Sequence, residues 1–166
     1  MRRFLIILIT AAVAALGIAA CEAPPSSAST KDPYTIQRVN AVGEPVSLSN
    51  FSGRYLWVDY AAEWCAACVP QTQAVQSVAS RSSSVVVYVT VMTSEPGGYG
   101  HPATQATAAR WAERFDLDPR NVIAADLTAM TLPRHILFSP TGKKLFDHTG
   151  SLTATEISTI IDRKTN

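Results

Sequence analysis

The chain has 166 residues, of which 47% are apolar and only 16% charged, with 14 Lys+Arg against 13 Asp+Glu and three cysteines. That is enough for one domain and hardly for two. A formal charge of +1 without any run of Lys or Arg excludes the basic field of a nucleic-acid-binding protein.

The apolar excess sits at the start. Arg2 and Arg3 precede residues 4–20, a stretch with no charge, broken only by Thr10 and Gly17. This is the layout of an export signal. It ends Ile18-Ala19-Ala20-Cys21, which resembles the lipobox of bacterial lipoproteins, in which a cut before the cysteine leaves it to carry lipid. An uncleaved anchor would have the same consequence: with the arginines held inside, everything after Cys21 lies outside the cytoplasm. The expected organisation is a signal peptide over 1–20, a lipidated Cys21 with a flexible tether over 21–33, and a folded domain over 34–166. The tether is built from Pro, Ser, Ala and Thr. Its eleven residues after Cys21 and before Pro33 span about 18 Å as a random coil, which keeps the domain near the bilayer. Without Arg2 and Arg3 the remaining chain is near neutral.

Strand and helix patterns then alternate. Residues 35–39 and 46–48 are short strand candidates around a Gly43-Glu44-Pro45 turn, and 50–53 is a second turn. Residues 55–61 (YLWVDYA) are aromatic and β-branched, the composition of a buried strand. A helix is expected over about 66–80, with Val69, Val75, Val78 and Ala79 along one side; Pro70 in its first turns is expected to bend it. Residues 85–91 (VVVYVTV) read as a strand covered on both faces, and 93–102 as a Gly-rich loop. Ala108, Trp111, Ala112 and Phe115 fall at i, i+3, i+4, i+7, one face of a helix. Short strands follow over 121–125, 134–138 and 143–147, the last two joined by a Ser139-Pro140-Thr141-Gly142 turn. Thr153 and Glu156 have the spacing of a capping box, flanked by a Leu152/Ile157 staple and continued by Ile160 and Ile161. This order implies an α/β domain with one central mixed sheet and helices on both faces.

The chemistry gathers at Trp64-Cys65-Ala66-Ala67-Cys68, between a strand and a helix. A sulfur at a helix N-terminus meets unpaired backbone N–H groups and the positive end of the helix dipole, which favour the thiolate. A second sulfur about one turn on is close enough to attack a mixed disulfide at the first. The same two cysteines also allow a static disulfide or half of a zinc site, although no second Cys pair completes the latter.

With Trp64 before the first cysteine, Asp59 six residues before it, and Thr131-Leu132-Pro133 directly ahead of the strand over 134–138, the sequence resembles the thioredoxin superfamily, and within it the TlpA-type membrane-tethered thiol-disulfide oxidoreductases. The likeness covers residues 34–163. It implies a thioredoxin-like fold, a redox-active Cys65–Cys68 disulfide and no further cofactor or metal. Cys65 is then the nucleophile and Cys68 the resolving thiol. Asp59 is a buried carboxylate able to relay a proton, and Trp64, Leu132 and a cis Pro133 form the substrate-binding edge. It also implies an exported client protein carrying a disulfide, a membrane electron donor and a monomer held outside the cytoplasm by lipid on Cys21. The sequence departs from the family in three respects: Pro70 comes only two residues after Cys68, earlier than the kinking proline usual in that helix, residues 125–133 are short for the helix usually found there, and 85–91 carries no lysine to pair with Asp59. Ala66-Ala67 lacks the histidine of strongly oxidising relatives, which favours the reducing direction.

Two other readings use the same residues: a copper-binding lipoprotein in which Cys65, Cys68 and His135 hold Cu(I), and a non-catalytic adaptor. His101 and His148 read as solvated surface histidines, whereas His135, two residues after Pro133, faces either the cysteines or away from them.

Overall fold

The computed structural model describes residues 34–35, 37–98 and 100–165. The expected leader, Cys21 and the expected tether fall outside the described residues.

Strand alternation and pairing create the core. Among the described residues the strands are β1 (Arg38–Asn40), β2 (Pro45–Val46), β3 (Tyr55–Ala61), β4 (Val86–Met92), β5 (Val122–Ala124), β6 (Arg134–Phe138) and β7 (Lys144–Thr149), and the helices are α1 (Cys68–Ser82), α2 (Gln105–Phe115) and α3 (Ala154–Thr165). They form one mixed sheet in the order β2-β1-β5-β4-β3-β6-β7. Its parallel centre, β3 beside β4 beside β5, is flanked by antiparallel β6 and β1. Two strongly apolar runs of the folded domain, β3 and β4, lie at this centre, where both faces are covered.

The helical cover is asymmetric. Both parallel steps, β3 to β4 and β4 to β5, move in the same direction across the sheet, so right-handed crossovers put α1 and α2 on the same face. The register agrees: Ala61, Met92, Val122 and Ala124 share one face and pack with Trp111 and Ala108 of α2. Trp57 and Leu137 lie on that face too, under Val75 and Val78 of α1 and Ile157 and Ile161 of α3. The opposite face, with Leu56, Val58, Tyr60, Val91, Ile123 and Ile136, has no α-helix over it among the described residues. It is closed by Tyr34, by Leu48 and Phe51 of a 3-10 turn (Leu48–Phe51), and by Leu127, Met130 and Leu132.

Local chemistry explains where elements differ from the sequence reading. Residues 46–48 do not continue as a strand because the Asn50 side chain accepts the Ser47 N–H at 2.7 Å and turns the chain. The β1–β2 turn is closed by Asn40, whose Oδ1 accepts from the Val42 and Glu44 N–H groups at 3.1 and 2.9 Å, with Gly43 at φ +87°. Pro70 is the third residue of α1. Its missing N–H falls where no intrahelical partner exists, so the expected bend has no cause. No helix lies between β5 and β6; a turn at Thr128 and Ala129 fills that stretch. At α3 the Thr153 N–H donates to Glu156 Oε2 at 2.8 Å and the Glu156 N–H donates to Thr153 Oγ1 at 3.2 Å. Leu152 and Ile157 both join the cluster beneath it.

Candidate active site

β3 runs out at Ala61, and a tight turn delivers the two cysteines: the Cys65 N–H donates to the Ala62 carbonyl at 3.1 Å and the Cys68 N–H to the Cys65 carbonyl at 3.0 Å. Cys65 and Cys68 are joined by a disulfide, S–S 2.13 Å. Cys68 is the first residue of α1, and no side chain caps that helix. The first-turn N–H groups and the helix dipole therefore remain available to negative charge on the sulfurs. Cys68 is buried at 1% exposure and Cys65 is 6% exposed, whereas Trp64 beside them is 48% exposed.

Trp64 is held although it is exposed. Its indole N–H donates to Ser94 Oγ at 2.9 Å, and Gly98 lies against the ring, where an added Cβ would sit 3.7 Å from it. The loop that supplies both is anchored by Glu95, which accepts from the hydroxyls of Thr104 and Thr107 at 2.6 and 2.8 Å; these bonds lower its pKa. Glu63 accepts two bonds from Arg110, at 2.9 and 2.8 Å, tying the cysteine turn to α2.

The Leu132–Pro133 peptide bond is cis and leads straight into β6. Leu132 packs against the cluster that contains Cys65 and Cys68, so this segment and the disulfide come together from distant parts of the sequence. Beside it lies a cleft of about 470 Å³ lined in part by Leu127, Met130, Thr131 and Arg134. Arg134 is held by two bonds to Asp147, at 2.9 and 2.8 Å. Arg134, helped by Lys144 at 2.7 Å, keeps the Asp147 carboxyl at about 2.

Asp59 and His135 are directly opposed on β3 and β6. His135 Nδ1 is 3.1 Å from Asp59 Oδ1, and the side chains are 0% and 1% exposed. The contact lacks the alignment of a hydrogen bond; it is a close polar pairing, side by side. Burial pushes the Asp59 carboxyl up, opposed by His135 and by the Thr72 hydroxyl. Thr72 is one helical turn beyond Cys68, on the buried side of α1, so Asp59 lies under the disulfide-bearing end of that helix. Next to Thr72, Gln71 accepts the Leu152 N–H at 2.7 Å and binds α1 to the entry of α3.

His135 thus turns toward Asp59. Among the described residues no group of three or more His, Cys, Asp or Glu side chains is arranged to hold a metal ion. With no lysine on β4, the basic side chain beside Asp59 is His135 on the other neighbouring strand, which the sequence reading considered as a copper ligand and not as a partner of Asp59. His148 is half-buried on β7, opposite His135.

The raised Asp59 pKa has a consequence for stability. The unfolded carboxyl ionises near pH 4, while the folded one keeps its proton to higher pH. Between those values the folded state binds more protons, so stability falls as pH rises. Asp59→Asn removes that loss. Its melting temperature, measured on oxidised protein, should gain on the wild type as pH rises above about 4; a difference that stays flat with pH would mean the carboxyl ionises in the fold as it does in the unfolded chain.

No family model and no curated protein matches the sequence. Solved structures do. The pneumococcal exposed lipoprotein thioredoxin Etrx1 of Streptococcus pneumoniae aligns at TM-score 0.59 and 20% identity, covering 77% of this chain and 98% of that one. DsbF of MTB aligns at 0.66 and 14%, covering 80% and 97%. A secreted Mycobacterium tuberculosis disulfide oxidoreductase homologous to E. coli DsbE aligns at 0.62 and 12%, covering 80% and 98%. The fold is thioredoxin-like.

Proposed function

We propose that the chain is an extracytoplasmic thiol-disulfide oxidoreductase that reduces disulfides in exported client proteins. The observation that carries this reading is the Cys65–Cys68 disulfide at the uncapped head of α1, with the cis Leu132–Pro133 segment packed against it. A purely structural bridge has no need of an exposed tryptophan held beside it.

In the reduced enzyme the Cys65 thiolate attacks one sulfur of a client disulfide held along the Leu132–Pro133 edge, with Trp64 on the other side. A Cys65–client S–S bond forms, the client S–S bond breaks, and the first client sulfur leaves as a thiolate that takes a proton from solvent. Cys68 then gives its proton to Asp59 and attacks Cys65. The Cys65–Cys68 bond forms, and the second client sulfur departs and is protonated. The client gains two electrons and the enzyme loses two, which a membrane donor must restore. The absence of histidine between the cysteines favours this direction, since less thiolate stabilisation goes with a lower potential. Lipid on Cys21 would hold the enzyme at the membrane where that donor sits. The likeness to an exposed lipoprotein and to a secreted oxidoreductase supports this placement.

Cys68→Ala tests the reading, because the first exchange proceeds and the second has no thiol. Expressed with its leader in the native host, the variant should accumulate dithiothreitol-sensitive adducts on Cys65, identifiable by mass spectrometry. A folded, exported variant with no adduct would overturn the assignment.

A further inference from the structure

We propose that His135 is a positioning residue for thiol exchange: with Asp59 it forms a buried dyad that takes up and returns, as one unit, the proton of Cys68. The inference rests on the oxidoreductase reading above and adds to it a partner for Asp59.

Four observations point there. The two residues are opposite one another in the β3–β6 register, with Nδ1 and Oδ1 3.1 Å apart. Both are shut off from solvent, where an isolated carboxylate would cost far more than an exposed one. The polar atoms of Asp59, His135 and Thr72 are buried together, so this part of the interior is polar where an apolar core would be expected. Thr72, whose hydroxyl meets Asp59, stands one turn after Cys68 on α1.

The surroundings leave the role to His135. On β4 the residue beside Asp59 is Thr90, uncharged. From α1 comes Thr72, whose hydroxyl meets Asp59; Ile157 and Ile161 of α3, which pack on the neighbouring Trp57 and Leu137, carry no charge. On β7 the residue opposite His135 is His148. Trp57, two residues before Asp59, walls the imidazole with ring centroids 5.7 Å apart.

The proton balance follows. When Cys68 attacks Cys65, its proton passes to the dyad, and the departing client thiolate is protonated in turn. When the enzyme is reduced again, the dyad returns a proton to Cys68. A buried carboxyl without a partner would hold its proton too tightly to accept another near neutral pH. An imidazole nitrogen at 3.1 Å stabilises the ionised carboxylate and keeps it available as a base.

Two substitutions separate this role from packing. His135→Phe preserves bulk and removes the polar nitrogen; His135→Asn loses bulk and keeps a polar amide near the place of Nδ1. The Asp59 ¹³Cγ resonance, followed through pH 5–9 in the oxidised full chain, should have its midpoint raised by about one unit or more in His135→Phe and restored toward wild type in His135→Asn. The rate of model-disulfide reduction below that midpoint should fall about tenfold in the Phe variant and recover in the Asn variant. Unchanged midpoints, or an Asn variant worse than Phe in both readouts, would overturn the dyad. The carboxyl titration uses no client, so a wild type unable to reduce any disulfide would fail the oxidoreductase reading while the resonance still decides the pairing.

Discussion

Cys65→Ser is expected to lower the rate of disulfide reduction by at least about 10³-fold, to the level of the reaction without enzyme. The serine hydroxyl fits the same space, but it is not ionised at neutral pH and is a far weaker nucleophile toward sulfur. Losing the nucleophile removes the first bond-forming step, which neither Asp59 nor Cys68 can replace from a buried position; Cys68 is 1% exposed. The variant also loses the bridge, whose two cysteines are only three residues apart. On the chain-entropy model so short a loop contributes about 2 kcal/mol. The proper reference is therefore the dithiothreitol-reduced wild type, and the two should melt within a few degrees of each other. Reduction of insulin followed by turbidity gives the rate. A Cys65→Ser rate equal to wild type would leave an adaptor with a static disulfide as the better reading.

Trp57→Ala should give the largest loss of stability among single changes away from the cysteines, about 3–5 kcal/mol. Trp57 is fully buried in the middle of β3, facing Val75 and Val78 of α1, Leu137 of β6, and Ile157 and Ile161 of α3. It also stacks on Phe146 with ring centroids 6.0 Å apart. The indole therefore joins the sheet to both helices, and deleting it opens a void that α1 and α3 cannot both close. Urea denaturation of the oxidised chain should show a lower midpoint with an unchanged slope. A loss under about 1 kcal/mol would mean that α1 and α3 collapse onto the sheet and fill the space. Because the indole also walls His135, the surviving folded fraction should show a perturbed Asp59 titration.

Much of the site could be read locally. Trp64, Cys65 and Cys68 fall within five residues, and the strand before them and the helix after them show in the sequence over 55–61 and about 66–80. Pro133 stands directly before a strand whose bounds, Arg134–Phe138, match the sequence reading. What could not be read is which residues oppose each other. His135 belongs to an alternating strand, and alternation alone leaves open which face it occupies and which strand lies beside it. Thr72 and Gln71 were hidden differently: on α1 the buried stripe includes both, so an apolar-only pattern misses the polar residues that the site requires.

By itself the sequence determined the α/β order, the strands β3, β4 and β6, the α2 face around Trp111, the capping box of α3 and the pair of cysteines, because periodicity, capping and motif chemistry all act within a few residues along the chain. Only the tertiary structure decided that the three α-helices share one face of the sheet, that Pro70 sits harmlessly in a first turn, that Leu132 packs against the cysteine cluster, and that His135 stands against Asp59. Those outcomes depend on strand order and register, where a slip of one residue would turn every side chain of β6 to the opposite face. Register is set by the packing of the whole sheet, which no local stretch of sequence contains.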